Sequence, residues 1–107
     1  MRPEIVRLVQ DLAAERYQAL ESDGRAGRLD ATQLSEAVSE YGRTLVELPD
    51  SVWRLVDEYP IDGHPDELAL DIPLWTAEEG RSDLTLSVTA CRTDGRITLM
   101  IDDLHVL

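Results

Sequence analysis

Between Pro3 and about Ser22, Ile5, Val9, Leu12, Ala13, Tyr17 and Leu20 recur at three- and four-residue spacing, with Glu4, Arg7, Asp11, Glu15 and Gln18 opposite. The spacing predicts one amphipathic helix. Arg16 projects onto its apolar arc, where a long side chain lays its stem over the core edge and keeps its head in water. Asp23-Gly24-Arg25-Ala26-Gly27 breaks the period with two glycines. Asp30 then stands as an N-cap with Gln33 at the third helical position, a capping box, and Leu29 and Leu34 supply a hydrophobic staple. The stripe Leu34, Ala37, Val38, Tyr41 carries this second helix to Gly42. Leu48-Pro49-Asp50-Ser51 opens a short third helix through about Asp57, and Pro60 ends it. The run Pro60-Ile61-Asp62-Gly63-His64-Pro65 reads as the joint between this helical half and the remainder of the chain.

After Pro65 the period changes from about 3.6 to 2. Leu68, Leu70, Ile72 and Leu74 alternate with Ala69, Asp71, Pro73 and Trp75, and Leu84, Leu86, Val88 and Ala90 alternate with Thr85, Ser87, Thr89 and Cys91. A third strand, Ile97 to Ile101, comes after Thr93-Asp94-Gly95-Arg96, whose Asp-Gly centre favours a two-residue hairpin turn. Pro73 cannot donate to a ladder and points to an edge position for the first strand, at least locally. Pairing outward from Asp94-Gly95 sets Ala90 opposite Leu99 and Val88 opposite Ile101. Unbroken, it would then set Leu86 against Asp103 and Leu84 against His105. One extra residue at Asp102-Asp103 restores Leu86 with Leu104 and Leu84 with Val106, so a β-bulge is predicted there. The whole reads as one α+β domain over 1–107. Its helical part spans about 3–58 and its sheet part about 66–107, with two longer helices plus one short helix packed on one face of a three-stranded antiparallel sheet.

The 107 residues allow one core, and 43% hydrophobic content separates the chain from disordered acidic tails. With no Phe, that core is aliphatic. Against 22 acidic residues stand 10 arginines and no lysine, a formal charge of −12. Such a balance argues against a grip on nucleic-acid phosphates and for a basic partner. Met1-Arg2-Pro3-Glu4 lacks the apolar run of a signal peptide, and no more than three apolar residues stand together, so a cytoplasmic protein with no membrane span is expected. The single Cys91 makes no internal disulfide.

Few residues point to reaction chemistry. Ser22, Gly24 and Ala26 stand where a calcium loop ending at Gln33 would need carboxylates, so Gly24 to Gln33 reads as a plain helix–loop–helix connection. No G-x-S-x-G elbow or C-x-x-C pair accompanies Cys91, His64 and His105. Asp102, Asp103 and His105, with Asp71 or Asp83, could be drawn as an oxygen-rich metal set, although Asp-Asp-x-His has no recognised metal spacing. No catalytic residue, metal ligand or cofactor is therefore assigned. The remaining feature is acidic density in the sheet half, where Asp71 and Trp75 share the face turned from the helices. A large ring among carboxylates is the arrangement of a recognition surface, and the partner-binding residues expected are Asp71, Trp75, Glu78, Glu79, Arg81, Asp83, Asp102, Asp103 and His105. Arg81, between Glu78-Glu79 and Asp83, suits an ion pair within the loop as well as partner contact.

Leu74-Trp75-Thr76-Ala77-Glu78-Glu79-Gly80-Arg81-Ser82-Asp83-Leu84-Thr85-Leu86 and Ile101-Asp102-Asp103-Leu104-His105-Val106-Leu107 resemble an uncharacterised family of small acidic bacterial proteins. Gly27-Arg28-Leu29 and Glu40-Tyr41-Gly42-Arg43-Thr44-Leu45 are similar too. In size, charge and layout the chain also resembles the immunity proteins that neutralise bacterial toxins, a likeness of type without a shared motif. With the acidic, Trp75-bearing surface, the expectation is a non-enzymatic, cytosolic protein-binding module of the immunity or inhibitor kind, acting on a basic toxin or enzyme. The alternative is a small hydrolase or metal-dependent enzyme using the Asp102, Asp103 and His105 cluster. A mimic of nucleic acid ranks below both, because the acids scatter over loops and both strand faces. An exposed edge strand also allows a homodimer.

Overall fold

In a computed structural model, which describes residues 1–106, three helices and one 3-10 helix pack on one face of a five-stranded antiparallel sheet. The helices are α1 (Arg2–Ala13), α2 (Tyr17–Ser22) and α3 (Ala31–Tyr41), with the 3-10 helix over Asp50–Arg54. The strands are β1 (Leu45–Val46), β2 (Asp57–Ile61), β3 (His64–Thr76), β4 (Gly80–Thr93) and β5 (Arg96–Val106). Ile5, Leu8, Val9 and Leu12 of α1, Leu20, Leu34 and Val52 meet Leu70, Ile72 and Leu74 of β3, Leu84, Leu86 and Val88 of β4, and Leu99 and Ile101 of β5 in one aliphatic core. Among the described residues, no helix is long and apolar enough to cross a membrane.

The capping box at α3 forms as its residues dictate: Gln33 donates its backbone N–H to Asp30 Oδ1 at 2.7 Å, and the Asp30 N–H donates to Gln33 Oε1 at 3.0 Å. The single helix expected from Pro3 to Ser22 is instead two. Glu15 adopts φ +60°, and the Arg16 N–H reaches back to the Asp11 carbonyl at 2.9 Å, so the chain turns and α2 starts afresh. Periodicity misses this break because Glu15 is exposed whether or not the helix continues.

The three-stranded sheet expected from the alternation has five strands; β1 lies inside the stretch expected to be helical and β2 begins at its end, at Asp57. Leu45–Val46 is too short to show a period. Asp57–Ile61 is exposed at nearly every position, so it lacks the hydrophobic alternation that marks a half-buried strand. Asp62-Gly63 is the turn of a β2–β3 hairpin rather than a joint between halves.

β3 is consequently not an edge strand, since β4 flanks it on one side and β1 and β2 share the other. Pro73 is nevertheless accommodated, and for a local reason. Ladder pairing alternates along an antiparallel strand, and Pro73 lies opposite Thr85 with its nitrogen turned from β4. On that side β2 reaches only to Asp71 and β1 begins at Trp75, so no rung is missed.

The β4–β5 register is the one that the hydrophobic pairing demands. Ala90 faces Leu99, Val88 faces Ile101, the register shifts at Asp102, and Leu86 then faces Leu104 and Leu84 faces Val106. A single inserted residue keeps four apolar pairs on the core side.

Candidate functional site

The face of the sheet turned from the helices is built of cross-strand rows. One row runs Asp57–Asp71–Ser87–Asp103 across β2, β3, β4 and β5, and the next runs Tyr59–Ala69–Thr89–Met100. Neighbouring strands lie about 4.8 Å apart, so Asp57 and Asp71 are directly opposed carboxylates, an arrangement that costs stability. The Ser87 hydroxyl donates to Asp71 Oδ1 at 2.7 Å and the Thr89 hydroxyl to Asp102 Oδ2 at 2.7 Å, which fixes both carboxylates on this face. Tyr59 is 48% exposed and Met100 45%. The charge has a measurable consequence: Asp57 foremost, then partial burial and Asp71, hold the Tyr59 hydroxyl above the ordinary tyrosine pKa.

The expected binding residues divide into two groups. Asp71, Asp102, Asp103 and His105 lie together on the outer face. His105 Nδ1 sits 3.2 Å from Asp103 Oδ2, close enough to pair when protonated, yet it is buried and not aligned as a hydrogen bond. Trp75 is also on this side, opposite Arg81 and beside Val46, but it is half-buried and packs against the core cluster.

Glu78, Glu79 and the Asp83 backbone form the second group, and they tie the β3–β4 turn to the end of α3. Glu78 accepts from the Thr44 N–H at 2.8 Å and the Thr44 hydroxyl at 2.9 Å. The Thr44 backbone bond is the chief reason that the Glu78 carboxyl lies below its ordinary pKa. Tyr41 donates its hydroxyl to Glu79 Oε2 at 3.0 Å and accepts the Asp83 N–H at 3.1 Å. Arg81 is exposed and makes no ion pair among the described residues.

Asp57 and Tyr59 belong to the acidic face although the alternation passes over them; reading Asp62-Gly63 as a hairpin centre would have placed both on it. The drawn metal set does not converge, since Asp102 turns to Thr89 while Asp103 turns to His105, and among the described residues no three His, Cys, Asp or Glu side chains gather to hold an ion. Cys91 is half-buried on the outer face with its Sγ 3.6 Å from the Thr93 hydroxyl.

No curated protein and no solved structure matches the chain. Residues 9–107 match the family described as Domain of unknown function (DUF7668), and the chain belongs to that family.

Proposed function

We propose that this protein is a non-enzymatic, cytosolic binding module of the immunity or inhibitor type, which blocks a basic protein, such as a toxin, through the outer face of its sheet. The observation that carries the reading is the row Asp57–Asp71–Ser87–Asp103. Opposed carboxylates disfavour folding, so a compensating role outside folding accounts for them, and a cationic partner supplies it. Exposed Tyr59 and Met100 in the adjacent row provide apolar contact inside that charged surround, as interface hot spots require. The overall charge of −12 steers a basic partner toward the face and speeds encounter. Glu78 and Glu79 drop out as contact residues because their carboxylates are engaged within the fold. Asp57 and Tyr59 replace them.

The experiment is capture from the native host on immobilised protein, with the Asp57→Asn/Asp103→Asn double variant as comparison. Wild type retains a basic protein whose binding weakens steeply as salt rises, and the variant, equally folded, loses it. A partner held equally by both proteins, or equally well at high salt, contradicts the reading.

A further inference from the structure

The sheet has two outer edges, at β2 and at β5. β2 is blunted by Pro60, Asp57 and Glu58. β5 is closed at Ile101, whose N–H donates to the Arg25 carbonyl at 2.7 Å. Between that contact and the hairpin turn, Ile97–Met100 has no outside backbone partner among the described residues. In a two-residue hairpin the pair flanking the turn is hydrogen-bonded and the bonded pairs then alternate. Thr93–Arg96, Cys91–Thr98 and Thr89–Met100 are thus the bonded pairs, and Ile97, Leu99 and Ile101 turn their N–H and C=O groups outward. The Ile101–Arg25 bond independently fixes the same parity. Beside Ile97 and Leu99 the structure leaves a cleft of about 460 Å³ between β5, Glu4 and Arg7 of α1, and Asp23–Arg25.

We infer that the Ile97–Met100 edge of β5 accepts an extended segment of a basic partner as a sixth strand, with the Ile97 and Leu99 backbone groups forming its rungs. This rests on the reading of the outer face as an acidic docking surface and says how the partner engages it. Met100 ends the row Tyr59–Ala69–Thr89–Met100, so an added strand prolongs that row. Its alternate side chains lie on the outer face beside Thr98, Met100 and Asp102, where cations suit, while the intervening ones enter the cleft, with Ile97 and Leu99 on one wall and Glu4, Arg7 and Asp23–Arg25 on the other. A second copy of this chain is the poorer occupant, because it brings −12 against −12. The loop at Arg25 bounds the added strand at one end and the Asp94-Gly95 turn bounds it at the other.

The test titrates the full-length protein with an eight-residue peptide alternating lysine and valine. A second peptide has the same side chains but N-methylated valines, and a third replaces lysine by glutamate. The expected result is binding of the lysine peptide with shifts of the Ile97 and Leu99 amide signals. N-methylation should weaken it about tenfold through lost rungs, and the glutamate peptide should not bind. Ile97→Pro, which removes one edge donor, should weaken it comparably; the methylated peptide tests the same bonds on the unaltered protein should that variant not fold. Equal binding of plain and methylated lysine peptides, with shifts confined to Asp71 and Asp103, overturns strand addition and leaves the acidic-face reading standing. No binding of any lysine peptide, or edge shifts that depend on protein concentration alone, also overturns strand addition; the capture experiment decides the acidic face separately.

Discussion

Gly27→Ala probes the contact that closes the β5 edge. Gly27 has φ +63°, and a Cβ placed there would lie 2.5 Å from the Ile101 carbonyl oxygen. The obstacle is backbone, so no side chain can swing aside and the loop itself must retreat. Left-handed backbone costs an alanine about 1 kcal/mol. Losing the 2.7 Å bond from Ile101 to Arg25 adds about 1 kcal/mol, and loosening the fully packed Ala26 adds somewhat more. The sum is roughly 2–3 kcal/mol. Gly24→Ala is the control, since Gly24 has φ +84° but nothing within 4 Å of an added Cβ; it bears only the backbone cost of about 1 kcal/mol. A chain of 107 residues unfolds with an entropy of about 0.2 kcal/mol/K, so the expected falls in melting temperature are about 10–15 °C for Gly27→Ala and about 5 °C for Gly24→Ala. Thermal unfolding monitored by circular dichroism reads both. Equal losses in the two variants would refute the claim that the Gly27 loop presses on β5.

The same geometry sets three further outcomes. Tyr59 should titrate above the ordinary tyrosine value, and Asp57→Asn should bring it down, as measured on its ring signals by NMR; an unmoved titration would mean that the opposed carboxylates set up no field there. Asp11 is buried, which alone would raise its pKa, but Arg25 at 2.7 Å and Arg16 at 2.9 Å outweigh this and hold it below the ordinary value. Its contribution to stability is therefore present above a pH of about 4 and lost as pH falls through the folded-state value. Asp11→Asn should cost about 2 kcal/mol at neutral pH, with the gap from wild type in urea unfolding narrowing toward pH 2; a gap independent of pH would contradict the pairing. Tyr41→Phe removes the hydroxyl that bridges Glu79 and Asp83 and should cost about 1–2 kcal/mol in urea unfolding, whereas an unchanged midpoint would show that the bridge adds nothing.

Features were legible in the sequence in proportion to the strength of the physical constraint behind each. Asp30 and Gln33 can satisfy each other in few other ways, and Leu84, Leu86, Val88 and Ala90 admit one apolar register with β5, so the capping box and the bulge at Asp102 were both readable. The break at Glu15 depends on one backbone torsion at an exposed residue and left no trace in the pattern. β2 carries its side chains in solvent, which hid Asp57 and Tyr59 although Asp62-Gly63 marked their hairpin. On the candidate face, Asp71, Asp102, Asp103 and His105 were placed by alternation and the bulge. The sequence alone offers Glu78 and Glu79 as contacts, because nothing in their spacing reveals Thr44 and Tyr41, more than thirty residues earlier, as their hydrogen-bond partners.

The footprint of the captured basic partner on the isotope-labelled protein, read by cross-saturation of backbone amides, tests the central claim most directly. Saturation is expected along β2, β3 and β5 at Tyr59, Asp71, Met100 and Asp103, together with Ile97 and Leu99 at the open edge. Saturation confined to α1, α2 and α3, with the outer face of the sheet untouched, would contradict it.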